Sequence, residues 1–424
     1  MVLNISVPNE AASFRERSSH ILQPMSRRKE PRLAASLFTM VSSWLDRWHV
    51  SCRRHGKSLA CSRIVSRIDL GVAAPAVART HGGGAGSVTV DALAEDGTVV
   101  GSISAVTSEQ AALLYPTVTM LGTLPGGMDS YARDISGGTV VGYATTGPAG
   151  DHLHGFVWTA QTGMQDLIDG TITGGPTVVS VATALNASGL IVGFAADAGT
   201  TKPCMWQAGH FQMLPTLGGA NGDATAVNAA GIIVGESQIV THEFHATMWI
   251  MGLPTDLHPP GARLSTAKVM NSQGDVAGDA WFPTGFHAFR WTAQAGAEDL
   301  GTLPNHVISH ARGMNDAGMI VGVSVAPGED PPPALAVRWT LEQDIEALDT
   351  LLSTPGWTLY DAVAVNDAGA ILAYGTVNGQ DHAVLVVPDA PLASDPPDDD
   401  PPAQKHHHKH QHKHWHITVA RLGR

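Results

Sequence analysis

At residues 311–324 the chain reads ARGMNDAGMIVGVS, with near copies at 224–237 (ATAVNAAGIIVGES) and 182–195 (ATALNASGLIVGFA). Small and apolar residues run up to an Asn, a Gly stands three positions later, and a second apolar run follows. Asn favours the first position of a type I turn and Gly supplies the positive φ that ends it, so the phrase spells two short strands joined by a tight turn. The turn recurs at 271–274 and 366–369, and in weaker form as AEDG (94–97) and SGG (136–138). The glycine that closes the phrase returns at Gly101, Gly142, Gly193, Gly235, Gly278 and Gly322, with Ala373 in the seventh slot. Its intervals of 41, 51, 42, 43, 44 and 51 residues lie in the range of propeller blades.

Two further strands complete each unit. A Trp ends an alternating run 13 to 17 residues after the glycine, in HGFVW (154–158), KPCMW (202–206), HATMW (245–249), HAFRW (287–291) and LAVRW (335–339), with AALLY (111–115) and HAVLV (382–386) as weaker members. Alternation places this Trp on a sheet face, where it packs between neighbouring sheets. A last strand ends in Asp-Leu, as in MQDL (164–167), PTDL (254–257) and AEDL (297–300). Gly and β-branched residues are too frequent for helices, and no interval holds a crossover helix. The expected fold is therefore an all-β propeller of about seven four-stranded blades, or six if a terminal unit is not a blade. The seventh unit lacks its Asp-Leu strand, whereas SRIDLG (66–71) upstream resembles one. Residues 64–70 are thus expected to complete the last blade and tie the array's ends together.

Around the repeats, composition divides the chain into a basic leader (1–63), the propeller (64–390) and a Pro/Asp-rich linker with a His-rich tail (391–424), both ends expected to be disordered. Residues 1–70 carry 12 Lys+Arg against 5 Asp+Glu, residues 71–404 carry 8 against 33, and residues 405–424 carry 5 against none. The acidic body disfavours nucleic acid as a partner through Coulomb repulsion. No run of 18 apolar residues exists, so no spanning helix is expected. The nearest targeting signal is RRKEPRLAASLFTMVSSWL (27–45), diluted by Ser42, Ser43 and Asp46. Cys52 and Cys61 lie in the leader and Cys204 alone in the repeats, so no disulfide framework supports the body.

The motifs LGTLPGG (121–127), AVNAAGIIVG (226–235) and HAFRW (287–291) resemble the HAF repeats of extracellular bacterial proteins. The resemblance covers about residues 64–390. It implies a propeller-like repeat protein that is exported to the periplasm or beyond, a cytoplasmic location being the alternative, and it carries no catalytic residues to transfer.

Chemistry is sparse in the sequence. His154, His245, His287 and His382 share one slot in different blades and so stand too far apart to ligate one metal unless they face the axis; a neutral imidazole hydrogen-bonded to a turn within its own blade is expected instead. Asp166, Asp256 and Asp299 repeat likewise and are expected to accept backbone N–H bonds in turns. Cys204 reads as a small buried hydrophobe. No nucleophile elbow, Walker loop, dinucleotide fingerprint or His-Glu-x-x-His is present, so no catalytic or cofactor-binding residue is assigned. The tail HHHKHQHKHWH (406–416) differs: His406, His407, His408, His410, His412, His414 and His416 form a set able to chelate Zn, Ni or Cu, although no cofactor is required. The leading functional reading is a monomeric, non-catalytic binding or scaffold ring for a protein or carbohydrate partner. Its alternatives are a hydrolase or lyase at the mouth of the central channel and a metal-binding role for the tail. Acids or histidines clustered on the channel rim would favour the enzyme, small and apolar residues the binding module.

Overall fold

The computed structural model describes residues 88–388, apart from 106, 148–151, 169–178, 198, 329–331, 342–343 and 354, together with residues 415–417. These residues form seven four-stranded antiparallel sheets arranged as the blades of a β-propeller. Blades 1 to 6 span 88–120, 130–166, 179–213, 218–256, 265–299 and 308–347, and blade 7 joins 357–388 to 415–417. Among the described residues no helix is long and apolar enough to cross a membrane.

One apolar cluster fills each of the seven interfaces between blades, which is what makes the array a ring. Trp158 packs with Val100, Ala111 and Leu121 of the preceding blade, and Trp206 with Val141 and Leu167. Trp249 and Trp339 repeat this arrangement, and their indole N–H groups donate to Pro215 O (2.7 Å) and Leu300 O (3.1 Å). The Leu of each Asp-Leu pair follows its outer strand and plugs the next interface, as does Leu214 after Met213 in blade 3; Leu214 and Leu257 are 2% exposed. Blade 7 meets blade 1 in the same way, with Leu372 and Ala383 against Val90, Val99 and Leu114. Seven blades, not six, therefore share one axis, and the first strand of each blade neighbours the first strands of the next in a closed circuit. The tryptophan and Asp-Leu signals thus meant what their spacing suggested: a sheet too thin to bury its own faces shelters them against its neighbours.

The closing glycine has a reason that the sequence does not reveal. All seven first strands bulge by one residue just past the residue that faces this slot. The bulge brings a first-strand carbonyl close in, so that a Cβ on Gly235 would stand 2.1 Å from Asp223 O and one on Gly322 1.9 Å from His310 O. Ala373 is accommodated in blade 7, whose first strand carries a further bulge immediately before this slot, between Leu359 and Asp361.

The last blade closes differently from the expectation. Its outer position is taken by Trp415–Ile417, which pairs Val386 with Ile417, Val387 with His416 and Pro388 with Trp415. Residues 64–70, expected in that slot, lie outside the described residues. The outer strand comes from 27 positions downstream of Pro388, whereas in blades 1 to 6 it follows the third strand through a short turn or loop.

Candidate functional site

The polar residues that repeat from blade to blade are consumed in holding the ring. Asn186 Oδ1 accepts the N–H groups of Ser188 (3.0 Å) and Leu190 (3.1 Å), as the turn chemistry requires. Its amide also reaches the next blade and donates to Asn228 O (2.9 Å). Asn228 donates to Asn271 O (3.4 Å) and Asn315 to Asn366 O (3.2 Å), so the turn residue doubles as a staple between blades. At the same end of the ring, acidic side chains accept N–H groups from the preceding blade: Asp316 from Ser272, Asp367 from Asp316, and Glu95 from Asp367 across the junction of blades 7 and 1. Burial and the neighbouring Asp367 and Asp316 raise the pKa of Glu95.

The recurring His and Asp bond to one another. His154 Nδ1 lies 2.7 Å from Asp166 Oδ2, His245 Nδ1 2.8 Å from Asp256 Oδ2, and His287 Nδ1 2.9 Å from Asp299 Oδ2. The other Asp oxygen accepts a backbone N–H two residues on, from Ile168, His258 or Gly301. The Asp residues accept turn N–H groups as expected, whereas His154, His245 and His287 bond to the Asp of their own blade rather than to a turn. His382 is buried and meets Trp357 edge-on at 5.4 Å. Cys204 is buried and free.

A repeated serine went unread in the sequence. Ser130, Ser180, Ser265 and Ser309 stand two positions before the residue facing the closing glycine, and each hydroxyl accepts an N–H from the third strand of the preceding blade at 2.9–3.0 Å. The fixed spacing from Ala132, Ala182, Ala267 and Ala311 was the available signal.

What differs between blades is the bulged position on the axial strand. It is Asp91, Arg133, Thr183, Thr225, Lys268, Arg312 and Val363 in blades 1 to 7. Thr183 and Thr225 donate to Ala224 O (2.6 Å) and Ala267 O (2.8 Å) of the following blade. The charged members form ion pairs, Arg133 with Asp91 (3.0 Å) and Arg312 with Asp361 (3.3 Å), and Lys268 with Asp279. Asp279 also takes His310 Nδ1 (2.6 Å) and the N–H of Ala311 (3.0 Å). Burial alone would raise the pKa of Asp279, but the Lys268 ammonium and His310 overcome it and hold the carboxyl far below the usual range.

Beside this triad, Asp223 and Glu236 stand opposite one another on antiparallel strands of blade 4, which places their side chains on one face. Glu236 Oε2 accepts the Thr266 hydroxyl, while Asp223 Oδ1 is buried without a hydrogen-bond partner. Burial pushes Glu236 up to about 7, and burial together with the neighbouring Glu236 pushes Asp223 well above the carboxylate range. Tyrosines stack in blades 2 and 7, Tyr131 on Tyr143 at 4.8 Å and Tyr360 on Tyr374 at 6.1 Å.

His406, His407, His408, His410, His412 and His414 lie outside the described residues, and His416 sits on the outer strand of blade 7. Among the described residues no three His, Cys, Asp or Glu gather as metal ligands.

No protein-family model and no curated protein matches the sequence. Among solved structures, the chain is similar to TolB from Acinetobacter baumannii, at 10% identity over 61% of each chain with a TM-score of 0.39. It is also similar to a puromycin-hydrolyzing peptidase of Mycobacterium tuberculosis (14% identity, 57% of this chain and 45% of that one, TM-score 0.37). A third likeness is to AofleA from Arthrobotrys oligospora (10% identity, 70% and 86%, TM-score 0.36). The chain spans less than two thirds of TolB and of the peptidase, and none of these likenesses bears on what it does.

Proposed function

We propose that the protein is a non-catalytic binding ring of the HAF-repeat type, exported from the cell, that meets a protein or carbohydrate partner at its axial belt. One observation carries this reading: the polar residues shared by the blades are spent on turns and interfaces, while the bulged axial positions differ from blade to blade. Residues free to vary on a rigid repeat are those available for recognition. The test inverts the belt without unpairing it, through Asp91→Arg with Arg133→Asp and Arg312→Asp with Asp361→Arg. Random peptides panned on the native chain, and a panel of cellulose, xylan, pectin and alginate, are then offered to both proteins. Selected ligands should bind the native ring and lose at least tenfold in affinity on the inverted one. Equal binding by both, or no ligand at all, contradicts the reading. N-terminal sequencing of the native protein from fractionated cells tests export.

A second reading, a hydrolase or lyase, is favoured by the clustering of Asp223, Glu236, Asp279 and His310 on one side of the axis. Turnover of those same polysaccharides that is abolished in Glu236→Gln would establish it; unchanged chain length after prolonged incubation would remove it. Metal binding by the tail is a third role, supported by its seven imidazoles. Because Trp415–Ile417 completes blade 7, its calorimetric test replaces His406, His407, His408, His410, His412 and His414 by Ser and leaves the strand in place. A Zn²⁺ titration that gives the same heat in both chains would dispose of that role.

A further inference from the structure

Three acids at the axial belt bond cations of their own chain. Asp91 has Arg133, Asp361 has Arg312, and Asp279 has both Lys268 and His310. Asp134 on the first strand of blade 2 instead accepts the N–H groups of Ile135 (2.8 Å) and Leu185 (2.9 Å). Asp223 and Glu236 are different: they share a face, are 7% and 6% exposed, and among the described residues neither bonds a Lys, Arg or His. At the bulged position, where blades 2, 5 and 6 bring Arg133, Lys268 and Arg312, blade 4 brings Thr225, whose hydroxyl is committed to Val234 O and Ala267 O. The nearby Lys268 donates to Asp279. Asp223 Oδ1 is left buried with no partner, a state that costs a polar atom free energy unless a donor reaches it.

We propose that Asp223 and Glu236 form a binding site for a primary ammonium group, carried by a free alkylamine or by the lysine side chain of a bound peptide. The proposal rests on reading the axial belt as the ligand-facing surface. An ammonium is compact and carries three donors, which suits two adjacent carboxyls of which only Glu236 takes a hydroxyl, that of Thr266, whereas a guanidinium needs a planar fork. A divalent metal would ask for more ligands than the pair supplies, and no three metal-ligating side chains gather among the described residues. With the cation in place both carboxyls ionise, and the ligand supplies the countercharge that Arg133 and Lys268 supply elsewhere in the belt.

The experiment follows the thermal midpoint of the full chain in millimolar putrescine, with sodium chloride at matched ionic strength as the control, and in Gly-Lys-Gly against Gly-norleucine-Gly. Putrescine should raise the midpoint of the native chain by about 3 °C and leave Asp223→Asn unmoved. A rise with the lysine peptide and none with its norleucine twin assigns the ammonium to a peptide; a rise with putrescine alone assigns it to a free amine. No rise with either probe, or an equal rise in Asp223→Asn, overturns the proposal. Glu236→Gln carries the same comparison if Asp223→Asn does not melt cooperatively. Loss of amine binding alone leaves the belt reading intact, since inversion of the Asp91–Arg133 and Arg312–Asp361 pairs tests that separately.

Discussion

At the scale of single residues, two of the repeat's letters can be given a force. Asn228 satisfies the N–H groups of Ala230 and Ile232 with its oxygen and reaches Asn271 O with its nitrogen, all at a buried site. Asn228→Ala strands those donors, and equilibrium unfolding in urea should show a loss of about 2–3 kcal/mol. Gly235→Ala drives a Cβ into Asp223 O and should cost about 3 kcal/mol or more, while Ala373→Gly, where the extra bulge already makes room, should change stability by about 1 kcal/mol. The turn roles of both residues were legible because φ preference and side-chain length follow from residue type. The staple to the next blade and the carbonyl against the glycine were not, because they depend on partners 43 and 12 residues away. Glu236 adds a pH signature. Its folded pKa of about 7 lies above the unfolded value, so its contribution is complete at pH 4 and is lost as pH rises through 7. Glu236→Gln should flatten this fall and be the more stable protein at pH 8, by on the order of 2 kcal/mol, in thermal melts taken at pH 4, 6 and 8.

At the scale of elements, what was written locally could be read. Each hairpin has its turn within a few residues, and the tryptophan strands and Asp-Leu strands fall where their spacing put them. The outer strand of blade 7 fails this condition. SRIDLG (66–71) carries the stronger local pattern, yet the slot goes to Trp415–Ile417, three residues inside a His-rich segment with no strand signature of its own. An unpaired edge accepts a strand through backbone hydrogen bonds, which any sequence supplies, so pattern strength does not decide who fills it. A chain ending at residue 413 should therefore melt several degrees below the full chain, whereas deletion of residues 60–72 should leave the midpoint where it is. Scanning calorimetry of the two deletions separates these outcomes, and the reverse order would restore the upstream clasp.

At the scale of the whole molecule, the ring is a division of labour. Seven apolar interfaces, each holding a Leu or Trp, six of them bonded across by a Ser or an Asn and the seventh by Glu95 and Tyr374, make the framework insensitive to what any one blade presents at the axis. That insensitivity lets the bulged positions hold an acid, three cations, two threonines and a valine on the same backbone. The number of blades was countable from the glycine period, since each copy had to repeat its turn. The axial belt was invisible for the opposite reason: its members share a place in space without sharing a residue type. The most direct measurement of this account compares Asn228→Ala with the chain in which the Asp91–Arg133 and Arg312–Asp361 pairs are inverted, reading ligand affinity and unfolding midpoint from the same preparations. The account predicts that the first keeps its affinity and melts lower, while the second keeps its midpoint and loses the ligand; an inverted belt that binds as tightly as the native one would contradict it.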